Sequence, residues 1–290
     1  MAILKILIMA LVQAVTEFMP VSSRGHYILL RELLNYKEPG VLFDLFLHFG
    51  AFIVICLVYH KDVLGIMIEG GNFLIIKIRN FFLFISQKVL KKSVTYDQLE
   101  SNSVQKLAIS LMISFVPFCI AGFIFKEKVD AWDQNLLYSG IGMLLTAFFL
   151  LSSDFKKKGK KSLKMMTYKD ALVIGIFQAC AIFPGCSRLG MCLVGAKLVG
   201  MEKNTSIKYS FLLYLPSWFV ATLYKCIVKD YTSFSVALPG AVVGFLGSII
   251  LSFFAYKMVS VYLKDKKYKY FALYSGVAGV LSLICHFVFV

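Results

Sequence analysis

Charge is scarce in this chain. Charged side chains make up 16% of its 290 residues, against about 25% in a soluble domain. Apolar residues reach 59%, against about 45–50%. They gather in long runs, and one soluble core could not hide them all. That excludes a water-soluble globule and points to an all-α polytopic membrane protein. Acidic residues are scarcer still, 16 against 31 lysines and arginines, for a net charge of +15. No basic surface is interleaved with aromatics, so no nucleic-acid partner is expected. The excess fits loops rich in lysine, held near the anionic lipid of a bilayer. Cysteine lacks any pattern. Cys56, Cys119, Cys180, Cys186, Cys192, Cys226 and Cys285 are odd in number, lie inside apolar segments and show no metal-ligand spacing. They read as small buried hydrophobes. The apolar N-terminal stretch lacks a small-x-small cleavage site, and Gln13 and Glu17 interrupt its end; it is expected to belong to the mature protein.

What the chain has is hydrophobic length. Six segments, roughly 41–60, 104–125, 136–152, 207–228, 235–259 and 271–290, are expected to cross a bilayer as helices. Residues 2–34 and 170–200 are also apolar, but proline and polar residues cut each near its middle. Their halves are too short to cross. Each is expected to enter the membrane and return as a re-entrant helical hairpin, buried in protein or lining a wet cavity.

These two broken regions resemble each other. Both "PVSSR" from Pro20 and "PGCSR" from Pro184 read Pro-x-x-Ser-Arg, and Gln13-Ala14 upstream matches Gln178-Ala179 with one residue of slippage. Three expected spans follow each copy. A hairpin that returns does not change sides and three spans do, so the second repeat must lie inverted. The expected division is a first repeat over 1–152, a basic linker over 153–164 and a second repeat over 165–290. Within the first repeat, 61–103 is read as a cytoplasmic interfacial segment. Loops 61–103, 153–170, 201–206 and 260–270 hold 18 basic residues (6, 7, 1 and 4 in turn), and the loops of the other side hold 4. The positive-inside rule puts the first set in the cytoplasm and both termini outside. The first hairpin then opens outward, and "DFKKKGKKSLK" is a solvated cytoplasmic linker.

Glu17, Arg24, His26 and Arg188 fall at expected membrane depth, where each ionisable group costs about 2.5–3.5 kcal/mol. They form either a structural ion pair closing two hairpin tips or a site where the tips meet. The chemistry of a site would suit a phosphate. Arg188 offers a planar fork of donors. Ser22, Ser23 and Ser187 stand beside chain breaks whose free N–H groups attract anions. His26 can exchange a proton near neutral pH. Gln13 and Glu17, four apart, share a helix face that can hold a hard divalent cation against a phosphate.

The segment "QAVTEFMPVSSRGH" (13–26) resembles the first signature of the undecaprenyl-diphosphate phosphatases, and "FPGCSRLGMC" (183–192) their second. The likeness continues in "FDLFLHFGA" (43–51), "SFLLYLP" (210–216) and "FALYSG" (271–276), and so covers essentially the whole chain. The resemblance implies hydrolysis of a C55 polyprenyl diphosphate to the monophosphate at the outer face of the bacterial cell (inner) membrane, recycling the lipid carrier of wall synthesis. It also implies a divalent cation, Mg2+ or Ca2+. Carried over by position, Gln13 and Glu17 are the acidic-motif residues and metal holders. Glu17, Ser23, His26 and Arg188 are the catalytic set, and Ser22, Arg24, Gly185 and Ser187 bind substrate. The sequence departs from the pattern at four places. Leu189 stands where the family has Ser, Cys192 where it has Thr, Arg24 where Thr is common, and Ser275 where Arg often follows Tyr.

Three routes stay open at this point: attack by Ser23 with Glu17 or His26 taking its proton, a phospho-intermediate on His26, or direct attack by water. A carrier or flippase could use the same groups without cleavage, and a catalytically dead relative is a third class. Asp44 and His48, four apart, are candidates for support of the site or for a local helix-face pair. His60 and His286 read as structural. Expected partners are the polyprenyl diphosphate, the bilayer and, as an open alternative, a second copy in a homodimer.

Overall fold

The computed structural model describes residues 2–35, 41–90, 95–96, 102–132, 135–228, 238–265 and 267–289. Among the described residues all repeated structure is helical, apart from one isolated bridge between Lys161 and Met201. Eleven α-helices follow in order: α1 (Ala2–Phe18), α2 (Ser23–Leu33), α3 (Val41–Val58), α4 (His60–Leu90), α5 (Ser103–Trp132), α6 (Leu136–Asp154), α7 (Tyr168–Ala179), α8 (Arg188–Leu198), α9 (Lys203–Val228), α10 (Leu238–Asp265) and α11 (Tyr268–Phe289).

The two broken regions are α1–α2 and α7–α8. Their helices have 17, 11, 12 and 11 residues. At about 1.5 Å per residue, none reaches the ~30 Å of bilayer hydrocarbon. Proline opens each break, and a hydroxyl restarts each helix. Ser22 Oγ accepts from Gly25 N at 3.2 Å, and Ser187 Oγ from Gly190 N at 3.1 Å. These N-caps satisfy donors that the new helix would otherwise orphan. At α7 the cap is a full capping box between Thr167 and Asp170.

Each broken region packs on a long helix. α1 packs on α10, α7 on α5, and α6 on α11. Small residues let helix backbones close: Gly50 of α3 meets the Ser248 backbone of α10, Gly175 of α7 that of Ser114 of α5, and Gly140 of α6 faces Gly279 of α11. The core lies where both hairpins converge. Phe18 and Val21, at the first break, are fully buried against Leu193, Phe211 and Val259.

Among the described residues, four stretches are single helices long and apolar enough to cross a membrane: Ser103–Val129, Leu136–Asp154, Val242–Asp265 and Tyr268–Val288. Between 28% and 44% of the most apolar window of each is buried. The remainder is apolar surface far beyond what water tolerates, which suits lipid. The other two expected spans fall on α3 and α9, of which some side chains lie outside the described residues. From Leu45 on, α3 is bent by 88° from α4. α9 carries Tyr209, Ser210, Tyr214, Ser217 and Trp218, all of them buried.

Most of the basic run 155–160 is exposed, yet it is pinned at its end. Lys161 N donates to Gly200 O at 3.0 Å, Glu202 N to Lys161 O at 2.9 Å, and Lys156 Nζ to Leu198 O at 2.8 Å.

Candidate active site

The two breaks meet. The Pro20 carbonyl packs on Gly190 of the opposite hairpin. Arg188 Nη2, at the start of α8, donates to Glu17 Oε1 at 3.0 Å. The Glu17 side chain is 4% exposed and that of Arg188 23%, so the pair is sunk in the protein with the guanidinium nearer the opening. Three further contacts hold the carboxylate. Gln13 Nε2 donates to Glu17 Oε2 at 2.7 Å, His48 Nδ1 lies 3.2 Å from the same oxygen, and the Ser23 hydroxyl is within interacting range. The Arg188 guanidinium stacks 4.3 Å from the centre of the Tyr214 ring, a favourable cation–π contact. Tyr214 in turn donates to His48 O at 3.3 Å.

These groups border a cavity of about 140 Å³, whose walls include Thr16, Glu17, Ser22, Ser23, Arg24, His48, Ser187, Arg188, Leu189 and Ser210. A drug-sized ligand takes about 300–1,000 Å³, so this space suits a small anionic head. Glu17, Ser22, Ser23, Arg24, Ser187 and Arg188, all expected from sequence, share it.

α6 is the shelf on which the second break rests. Thr146 Oγ1 accepts from Ser187 N at 2.9 Å. Gly185 adopts φ +78°, with the Ser139 carbonyl where a side chain would begin. Gly185 thus shapes the break and does not line the cavity. Gln13 stands behind the wall, against Glu17 and His48.

His26 is directed elsewhere. Its Nδ1 lies 2.7 Å from the carbonyl oxygen of Ser22. A carbonyl only accepts, so Nδ1 carries the proton and Nε2 of the neutral ring accepts from Tyr274 Oη, at 3.1 Å. The two rings are parallel, with centroids 5.4 Å apart. Ser22 sits at φ 70°, a left-handed conformation costly for a residue with Cβ. His26 braces the carbonyl of that strained residue.

Of the departures from the family pattern, Leu189 and Arg24 face the cavity. Cys192 does not: it is buried, with Sγ 3.8 Å from Gln178 Oε1. Ser275 donates to Met143 O at 2.9 Å and lies away from the cavity. The Asp44 side chain lies outside the described residues. His48, weighed from sequence as a support of the site or half of a helix-face pair with Asp44, contacts Glu17 directly. Tyr214 fell in a stretch of family likeness with no role attached, and Thr146 had no signal, because a lone Thr in an apolar helix is ordinary packing.

The fold and the site together define a polytopic membrane protein with an anion-receptive cavity between two broken helices. A family profile described as "Bacitracin resistance protein BacA" matches residues 6–281, and the chain belongs to that family. It is 30% identical over 281 residues to the undecaprenyl-diphosphatase of Oceanobacillus iheyensis, covering 96% of this chain and 94% of the relative. It is 30% identical over 288 residues to that of Alkaliphilus metalliredigens, with 98% of both chains covered. To that of Methanosphaera stadtmanae it is 29% identical over 282 residues, with 97% of both covered.

Proposed function

We propose that this protein is an integral membrane phosphatase. It hydrolyses undecaprenyl diphosphate to undecaprenyl phosphate and inorganic phosphate, and so recycles the lipid carrier of cell-wall synthesis. The observation that carries this reading is the reach of Arg188, on the second hairpin, to Glu17, on the first, inside one phosphate-sized cavity. Family membership and the names of its relatives agree with it.

In the mechanism we favour, the diphosphate competes for Arg188. A doubly charged phosphate with paired oxygens matches the guanidinium fork better than one carboxylate oxygen does. Its arrival frees Glu17 to act as base beside Ser23. Ser23 Oγ attacks the terminal phosphorus, its proton passes to Glu17, and the bridging P–O bond breaks to release the lipid monophosphate. Water then cleaves the phosphoserine. Arg188 and the N-terminus of α8 stabilise the developing charge, and little else is needed for phosphoryl transfer. His26 acts as a positioning residue in this scheme. Its two nitrogens are engaged by the Ser22 carbonyl and the Tyr274 hydroxyl, which favours Ser23 or water over His26 as the acceptor of the phosphoryl group.

The residues present suit a divalent cation. Gln13 Oε1 is a buried oxygen with no hydrogen-bond partner among the described residues. Its repeat counterpart Gln178 is engaged at both ends, by Ser217 and Cys192. The open oxygen thus stands beside Glu17, in one repeat only. Gln13 and Glu17 would hold Mg2+ or Ca2+, with phosphate oxygens and water completing the shell. The ion, when bound, supplies neutralising charge to the phosphate.

The same reading includes six spans and two re-entrant hairpins in inverted repeats, with both termini outside and the cavity open to the outer face. The matched packing of α1 on α10 and α7 on α5 supports it, as does the basic bias of the loops. An apolar groove of about 320 Å³, with Phe118 in its wall as in the cavity's, runs past Gly122, Ile182 and Val220. It would seat the first isoprene units of the lipid tail.

The test is phosphate release by the purified protein from farnesyl diphosphate with Mg2+. We expect release that stops with chelator and in Arg188→Ala. Lipid movement across a vesicle without release would replace the phosphatase with a carrier, and neither activity would leave a catalytically dead relative.

A further inference from the structure

A second cavity, of about 320 Å³, lies at the far end of α8. Arg188 begins this helix at the catalytic cavity; Lys197, in its last turn, lines the second one. The two cavities are thus about 15 Å apart along the axis. The lining carries five lysines, Lys158, Lys197, Lys203, Lys264 and Lys267, against two acids, Asp154 and Glu202.

Surface lysines usually splay apart into water. These come from four separate segments and are held together. Lys197 and Lys203 both lie over the buried ring of Tyr268, at 5.1 and 5.4 Å. The pairing of Lys161 with Gly200 and Glu202 fixes the linker that carries Lys158. Asp154 counters part of this charge. One of its oxygens takes Lys197 at 2.5 Å and the other accepts Lys269 N at 2.7 Å. Burial pushes the Lys203 ammonium below the ordinary range, against the charge of Asp154 and then of Asp265, with smaller contributions from Lys197 and Lys158. The N-termini of α9 and α11 lie in the same lining, through Lys203 and Tyr268, and add positive potential.

We propose that this basic cavity is a second phosphate-binding site, taking either the phosphate of an anionic lipid headgroup or free inorganic phosphate. Lipid is the better match in position. The spans Leu136–Asp154 and Val242–Asp265 end beside it and Tyr268–Val288 begins there, which sets the cavity at headgroup depth. The proposal does not depend on the chemistry assigned to the catalytic cavity.

The test uses the full-length protein and the variant Lys158→Gln/Lys267→Gln. Both lysines are exposed, and neither belongs to the catalytic machinery, so phosphate release from farnesyl diphosphate should be unchanged and serves as the check of the fold. In one arm, native mass spectrometry compares retention of phosphatidylglycerol and phosphatidylcholine. In the other, inorganic phosphate is titrated calorimetrically in an Arg188→Ala background, so that the catalytic cavity contributes little. Each lysine at an anionic surface is worth about fivefold in affinity. The variant should therefore bind about 25-fold more weakly at low salt, in the lipid arm if the source is a headgroup and in the other if it is free phosphate. Should the double variant lose activity, Lys158→Gln alone is used, with about fivefold expected. Wild type and variant alike in both arms would overturn the proposal.

Discussion

Replacing Thr146 by valine changes almost no volume and removes one oxygen. Thr146 is fully buried on α6. Its Oγ1 accepts the Ser187 N–H at 2.9 Å and donates to Gly142 O at 3.0 Å. The Gly142 carbonyl keeps its place in the helix, so the loss falls on Ser187 N–H, a buried donor left without an acceptor. Such a group costs about 1–3 kcal/mol. No cavity opens, so nothing need be added for packing. The damage should reach catalysis, because Ser187 is the N-cap that aims Arg188. A shift of about 1 Å in such a group can cost on the order of 100-fold, and a tenfold to hundredfold fall in kcat is expected. Thr146→Ser keeps the oxygen and should retain most activity. The assays are thermal unfolding in detergent and phosphate release from farnesyl diphosphate. Thr146→Val within about 0.5 kcal/mol of wild type, with unchanged kcat, would refute the idea that α6 sets the second break.

Three further outcomes are expected. Gly185→Ala should fold poorly, losing more than about 2 kcal/mol, because φ +78° and the Ser139 carbonyl both oppose a Cβ; unfolding and expression level measure this. Tyr274→Phe should leave activity within about threefold, since water can replace its hydroxyl at His26 for roughly 0–2 kcal/mol; a 100-fold loss in the release assay would make His26 a proton donor in the reaction. Asp170→Asn carries a pH signature. Burial raises the Asp170 carboxyl, but hydrogen bonds from the Thr167 N–H and Lys161 outweigh it and hold the group below its ordinary value. A lowered folded value means stability that is present above the usual carboxylate range, about 3.9, and lost as pH falls through it. Wild type should therefore exceed Asp170→Asn by about 1 kcal/mol at neutral pH and converge with it in acid. A constant gap in unfolding experiments from pH 7 to pH 3 would contradict this.

Much of the site could be read from the chain because the breaks announce themselves. Proline beside Ser-Arg, in an apolar run too short to cross, points to buried broken backbone at Pro20 and again at Pro184. Glu17 and Arg188 were legible for the same reason, since charges at that depth require each other or a ligand. His48 was legible only as a candidate support or half of a helix-face pair, and the roles of Tyr214 and Thr146 were not, because what they do depends on which helix lies opposite. His26 was legible as a group that can exchange a proton near neutral pH, and its ring closes back on the Ser22 carbonyl. Cys192 lies one turn farther along α8 than Arg188, buried against Gln178, so its place in a signature did not bring it to the cavity. The spans expected at 41–60 and 207–228 fall on the helices α3 and α9, but apolar length could not foretell the 88° bend between α3 and α4.

The central claim is that Glu17 and Arg188, on different hairpins, act as one unit in cleaving a lipid diphosphate. A double-mutant cycle tests it most directly, from kcat/KM for phosphate release from a C55 diphosphate by wild type, Glu17→Gln, Arg188→Lys and the double variant. Side chains in contact at 3.0 Å should give a coupling of at least about 1 kcal/mol, so that the double variant is far more active than the product of the two losses predicts. Losses that multiply to within about 0.5 kcal/mol would mean that the two hairpins act independently and that the account is wrong.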